Sequence, residues 1–175
     1  LPIAMFYAWN PWPSSDLSFD NGGNGLWISG KWYTGFNSDS GTPVSSDEID
    51  SLFRVFRKNR IRYAYVRAGQ IKASGEIDHM PGRFFFELQD RAPDVVFLPW
   101  FSGDGNKLEI HDPDWRDQLV QSMGRLYSYG VSGVHLNIEP IHDNQSEYIE
   151  LLKEIRKRFE GNFFVSHATR RIAPM

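Results

Sequence analysis

The sequence predicts an α/β fold made of parallel (β/α) units with about five strands, and three observations carry that expectation. From residue 45 onward, short apolar runs alternate with amphipathic stretches, the rhythm of strand and helix in turn. The runs begin near 62, 94, 133 and 162, some 30 to 40 residues apart, the length of one βαβ unit. The run "DVVFLPWFSGD" (94–104) is almost continuously apolar, as strands covered on both faces are. A full eightfold barrel needs about 250 residues, and 175 are present. The expectation is therefore a single domain over 1–175 that forms the N-terminal part of a TIM-type barrel. An open doubly wound sheet competes with it, but "WNPWPSSD" after the first apolar run offers no glycine-rich phosphate cradle.

Residues 1–44 are the least regular. "AMFYAWN" (4–10) predicts the first parallel strand, and "LWISGKWYTG" (26–35) a further strand or hairpin arm. A helix starts at Ser45, where Glu48 completes a capping box, and its apolar face is Ile49, Leu52, Phe53 and Phe56. "IRYAYVRAG" (61–69) alternates as a strand, and "FFFELQDRA" predicts a short helix before the strand at 94–104. Asp112 followed by Pro113 opens another helix, with Trp115, Leu119, Met123, Leu126 and Tyr127 on one face and Gly130 at its end. The strand at 133–138 follows. Asn144 and Glu147 form a second capping pair, Tyr148, Leu151, Leu152, Ile155 and Phe159 the next buried stripe, and Gly161 the stop before "NFFVSHAT" (162–169). A sheet ending on that strand leaves an unpaired edge, for a further segment or a second chain to cover.

Composition narrows the function. Hydrophobic residues make up 41% and charged residues 23%, an ordinary globular balance. A net charge of -3 lacks the basic face that nucleic acid requires. No cysteine is present, which excludes disulfides and thiolate metal sites, and no apolar run nears the roughly 18 residues of a membrane span. The chain opens on Leu1 with no signal-like region, as a processed or excised protein would. Aromatic residues reach 15%, with six Trp, and such rings stack on flat, partly apolar ligands, carbohydrates among them.

In parallel βα folds ligands lie at the carboxyl ends of the strands. Those positions here hold Trp9 and Asn10, then Arg67 and Gln70, then Trp100, Ser102 and Asp104, then Asn137 and Glu139, and last His167, Thr169 and Arg170. In "GVHLNIEP" (133–140), His135, Asn137 and Glu139 share one face and Val134, Leu136 and Ile138 the other. Burying three polar side chains costs a few kcal/mol unless each is hydrogen-bonded, which points to a functional face. Pairing of Glu139 with Arg67 or Arg170 is the plain structural alternative, and either arginine could instead clamp an anionic ligand.

"SGVHLNIEP" resembles the fourth-strand signature D-G-x-D-x-D-x-E of chitinase-type glycoside hydrolases of family 18, with Gly133, Asn137 and Glu139 at the glycine, last aspartate and glutamate positions. It resembles more closely uncharacterised barrel relatives with His at the middle aspartate and Pro after the Glu. "FFVSHATRRIAP" and "DPDWRDQLVQSM" are similar to the fifth strand and the preceding helix of such proteins. The resemblance implies a glycosidase with Glu139 as general acid, whose substrate supplies its own N-acetyl nucleophile. The residue that would orient and charge-stabilise that group is Asn137, and an amide cannot supply the charge. Ser132 and His135 replace the other two aspartates. A partner carboxylate would then come from Asp104 or from another strand, and Glu139 would need burial to stay protonated near neutral pH. The alternatives are a catalytically silent barrel binding sugar through Trp9, Trp32 and Trp100, and a different barrel enzyme with His135 or His167 as base. A glycosidase of this kind would work outside the cell or in the periplasm.

The five histidines form no HxxxH or HxH pair. His135, His167 and Glu139 could at most make a two-histidine, one-carboxylate set, and the expectation is no metal and no cofactor. "RKNRIR" (57–62) reads as the solvated end of a helix.

Overall fold

A strand covered by helices on one side and by other residues on the other needs two sets of side chains, and the five strands here carry them in alternation. In a computed structural model, which describes residues 23–142, 145–161 and 163–168, β1 (Asn24–Ile28), β2 (Ile61–Gln70), β3 (Val96–Asp104), β4 (Gly133–Glu139) and β5 (Phe164–His167) form one sheet. Strand order follows chain order and every pairing is parallel. The helices are α1 (Lys31–Thr34), α2 (Ser46–Lys58), α3 (Arg83–Arg91), α4 (Pro113–Ser128) and α5 (Ser146–Phe159). Trp9, Asn10, Asn144, Thr169, Arg170 and the strand expected at 4–10 lie outside the described residues.

The sheet is rolled. In a flat sheet β1 and β4 would lie about 14 Å apart, three strand spacings. Yet the Trp27 ring of β1 stands 4.6 Å from the His135 ring of β4, and Tyr63 of β2 stacks at 5.3 Å on Phe164 of β5. Contacts across two intervening strands need the curvature of a barrel wall. The expected parallel (β/α) architecture of a TIM-type barrel is thus present as a five-strand arc, with β1 and β5 as its outer strands among the described residues.

Residues 26–35 depart from expectation. They form neither one strand nor a hairpin arm. β1 stops at Ile28 and pairs parallel with β2, whereas a hairpin needs an antiparallel partner. The chain then turns into α1, which ends at Gly35 with φ 84°, a left-handed cap that glycine adopts without strain.

Other local signals act as read. Ser45 Oγ accepts from the Glu48 N–H at 3.3 Å while Glu48 Oε2 accepts from the Ser45 N–H at 2.9 Å. Lys31 Nζ reaches Glu48 at 2.7 Å, and it, with the Ser45 cap, draws that carboxyl down to about 2. Asp112 caps α4 by accepting from the Asp114 N–H at 2.9 Å, with Pro113 in the first turn. Tyr127 is a correction: it is 46% exposed and touches Phe159 and Phe163 from the rim at 5.7 and 5.9 Å. Arg116 and Ser122 take places on the buried side of α4, Arg116 held by Glu154 at 3.1 Å and the Ile110 carbonyl at 3.1 Å.

The core lies between the convex face of the sheet and the helices. Ala64, Val66, Phe97, Phe101, Val134, Leu136 and Ile138 are fully enclosed there. Phe97 sits edge-on to Phe56 of α2 and Phe85 of α3, at 5.9 and 6.2 Å, so it joins two helices to the middle strand. Phe97→Ala is expected to lower stability by about 3–5 kcal/mol, read from urea denaturation with an unchanged slope against denaturant.

Candidate functional site

The faces of β4 are sorted as follows. Val134, Leu136 and Ile138 point to the helices and are fully buried, while His135, Asn137 and Glu139 line the concave face. Along that face burial falls toward the carboxyl end, from buried His135 through half-buried Asn137 to exposed Glu139. Gly133 starts the row for a steric reason: a Cβ there would collide with the Phe164 carbonyl and lie 2.8 Å from Leu98 Cδ2.

Register aligns β4 with β3, so that Trp100 sits beside His135, Ser102 beside Asn137 and Asp104 beside Glu139. A bulge between Arg67 and Gly69 then sets Gln70 beside Ser102. At the carboxyl ends these residues open a cleft of about 570 Å³ whose lining includes Gln70, Ser102, Asp104, Asn137 and Glu139, together with Lys72 and Lys107. Five residues singled out in the sequence or adjacent to such positions therefore meet in one place.

The two carboxylates stand in different surroundings. Lys107 Nζ lies 2.9 Å from Asp104 Oδ2, and the Asn106 N–H donates to Asp104 Oδ1 at 3.1 Å. The lysine first, and the backbone donor after it, hold the Asp104 carboxyl below its usual range. Glu139 is exposed, and no described residue hydrogen-bonds or ion-pairs its carboxyl group. It is not paired with Arg67, and the enclosure expected of it is not formed by the described residues.

Below the cleft lies an aromatic layer. Trp27 meets Tyr65 at 5.0 Å, Trp100 at 5.3 Å and His135 at 4.6 Å, and Arg67 lies over Trp100 at 5.9 Å from the ring centroid. His135 Nδ1 is 3.0 Å from Ser166 Oγ. Burial, and secondarily the charge of His167, push the His135 imidazole down to about 4, so it is neutral at pH 7. Its Nε2 and the Trp100 Nε1 are buried with no hydrogen-bond partner among the described residues.

Two expected site residues are elsewhere. Trp32 is 7% exposed and packs in the core from α1, because the chain has already turned helical there. His167 shares the register row of Leu136, hence the helix-facing side, and its ring meets Tyr148 of α5 at 5.7 Å. It and His135 therefore project from opposite faces, which dissolves the two-histidine set with Glu139. Among the described residues no three His, Asp or Glu side chains gather in a metal-holding group, and no helix is long and apolar enough to cross a membrane.

A rolled parallel sheet with its polar groups at the strand ends can be set against solved structures. The spore cortex-lytic enzyme SleL of Bacillus megaterium QM B1551 superposes with a TM-score of 0.60 and 13% identity, over 82% of this chain and 33% of that one. A chitinase from Bacteroides thetaiotaomicron gives 0.54 at 17% identity, and one from Rhizomucor miehei 0.54 at 10%, each over 82% of this chain and 45% of the other. The fold is chitinase-like. This chain spans between a third and a half of those proteins' lengths, and at such identities the chitinase-like likeness is one of fold. No protein-family model and no curated protein matches the sequence.

Trp27, Tyr65, Ser166 and Lys107 were not singled out in the sequence. Trp27 had a signal, since it alternates with Leu26 and Ile28, and the hairpin reading obscured it. Lys107 lies three residues after Asp104, a spacing at which one turn brings side chains together.

Proposed function

We propose that the protein is a glycoside hydrolase acting on a carbohydrate, with Glu139 as general acid. The observation that supports this most is the division between two carboxyl groups at one cleft. Asp104 is held ionised by Lys107 and Asn106, while the carboxyl of Glu139, its neighbour across β3 and β4, has no protein partner among the described residues. Paired carboxyls whose surroundings differ are the usual basis for separate acid and charge-stabilising roles. Bound sugar would enclose Glu139 and keep its proton, Asn137 would hydrogen-bond an acetamido or hydroxyl group, and Asp104 would face the positive charge that develops on the sugar ring. Gln70 and Ser102 supply further hydrogen bonds at the cleft, and Trp100 and Trp27 offer aromatic surface beneath it. The chitinase-like fold agrees with a carbohydrate ligand.

A second reading, binding of carbohydrate without cleavage, is favoured by the exposure of Glu139 and by an amide at Asn137. The two separate on a panel of chito-oligosaccharides and plain glucans, assayed for binding and reducing ends. The hydrolase reading expects new reducing ends from at least one of them. Binding without cleavage, weakened roughly tenfold in Trp100→Ala by the lost ring contact, would replace it with the second. Neither binding nor cleavage of any glycan would remove both.

A further inference from the structure

We propose that the turn after β3 is a latch that positions Glu139, with Asn106 and His142 as its working parts; this rests on the acid role given to Glu139. With its carboxyl unengaged, the direction of that side chain depends on how the backbone from 139 to 142 is held, and two contacts hold it. The Gly105 N–H donates to the Glu139 carbonyl at 3.0 Å. A Cβ on Gly105 would overlap the Pro140 carbonyl oxygen, so the two loops meet this closely only because residue 105 has no side chain. One residue on, Asn106 Oδ1 lies 3.0 Å from His142 Nε2.

His142 is also tied forward. Its N–H donates to Gln145 Oε1 at 3.3 Å, and the Gln145 N–H donates to the His142 carbonyl at 3.3 Å, which joins the latch to the start of α5. Asn106 meanwhile donates its own N–H to Asp104 Oδ1 at 3.1 Å. One asparagine therefore contacts the ionised carboxylate through its backbone and the Glu139 loop through its side chain. Asn106 and His142 are positioning residues, since each acts through the backbone that carries Glu139.

Asn106→Ala removes the side-chain link and keeps the backbone donor to Asp104, and His142→Ala cuts the same link from the side that does not act on Asp104. The test follows the Glu139 side-chain carboxyl 13C signal and the Gly105 amide signal by NMR in the parent, Asn106→Ala, His142→Ala, the double variant and His142→Gln. Both single truncations are expected to move the two signals alike, the double no further than either. His142→Gln, which retains a side-chain N–H donor, is expected to restore the parent positions. On any glycan the parent cleaves, the truncations are expected to lower kcat about tenfold with KM unchanged, less than the hundredfold that a misplacement of about 1 Å can cost. Glu139 signals that stay put in both truncations overturn the latch. A parent that cleaves nothing overturns the hydrolase reading alone, because the NMR comparison still decides the latch.

Discussion

Glu139→Gln is expected to lower turnover by about 10²- to 10⁴-fold, the usual contribution of a positioned general acid, while leaving the folded protein as stable as before. Its side chain is exposed and its carboxyl has no partner among the described residues, and surface substitutions away from specific contacts stay within about 0.5 kcal/mol. Initial rates and a thermal melt on the same sample check both halves. Turnover equal to the parent's would remove Glu139 from the chemistry. A large drop in melting temperature would mean that the carboxyl supports the loop.

The second large effect concerns His135. Its imidazole is pushed from an ordinary value of 6.5 down to about 4, chiefly by burial and then by the charge of His167. The unfolded chain therefore binds a proton that the folded protein refuses between those two values. Stability from this group is complete above pH 6.5 and is lost as pH falls toward 4. The full shift corresponds to about 3 kcal/mol at 1.36 kcal/mol per unit, and partial solvent screening reduces the expected loss to about 2 kcal/mol. For a chain of this length that is roughly 4–8 °C in Tm. Asp104, held below the usual carboxylate range, and Glu48, drawn from 4.5 to about 2, lose their contributions mainly below pH 4.5, so a comparison that stops there reads chiefly His135. Urea titrations of the parent and His135→Phe at pH 7.5 and 4.5 give the answer. The parent should lose the extra stability and the variant should not, and equal losses would exclude His135 as the origin.

The fold was legible because periodicity records burial. The capping box at Ser45 and Glu48, the Asp112–Pro113 start and the near-continuous apolar run of β3 each reflect a local requirement, and each is met where the residues stand. Residues 26–35 misled because Trp27, Trp32 and Tyr33 all suit a strand, while the turn at Gly30 and the left-handed cap at Gly35 interrupt the run. Asn137, Glu139, Asp104 and Gln70 were legible as strand ends, and register brings them to one cleft. His167 was not separable from the others, since a ring one residue to either side of the correct parity faces the wrong layer, and Trp32 was lost to the turn into α1, where strand parity no longer applies.

From the order of its residues alone, this chain specifies parallel βα units, a row of His135, Asn137 and Glu139 on one side of β4, and a carboxylate at the strand's end. Those are consequences of side-chain alternation and helix caps, which act over a few residues. The rolling of the sheet, the pairing of Asp104 with Glu139 across β3 and β4, the burial that keeps His135 neutral and the meeting of Asn106 with His142 arise between segments tens of residues apart. Register and curvature decide such contacts, because a shift of one residue reverses which face a side chain occupies.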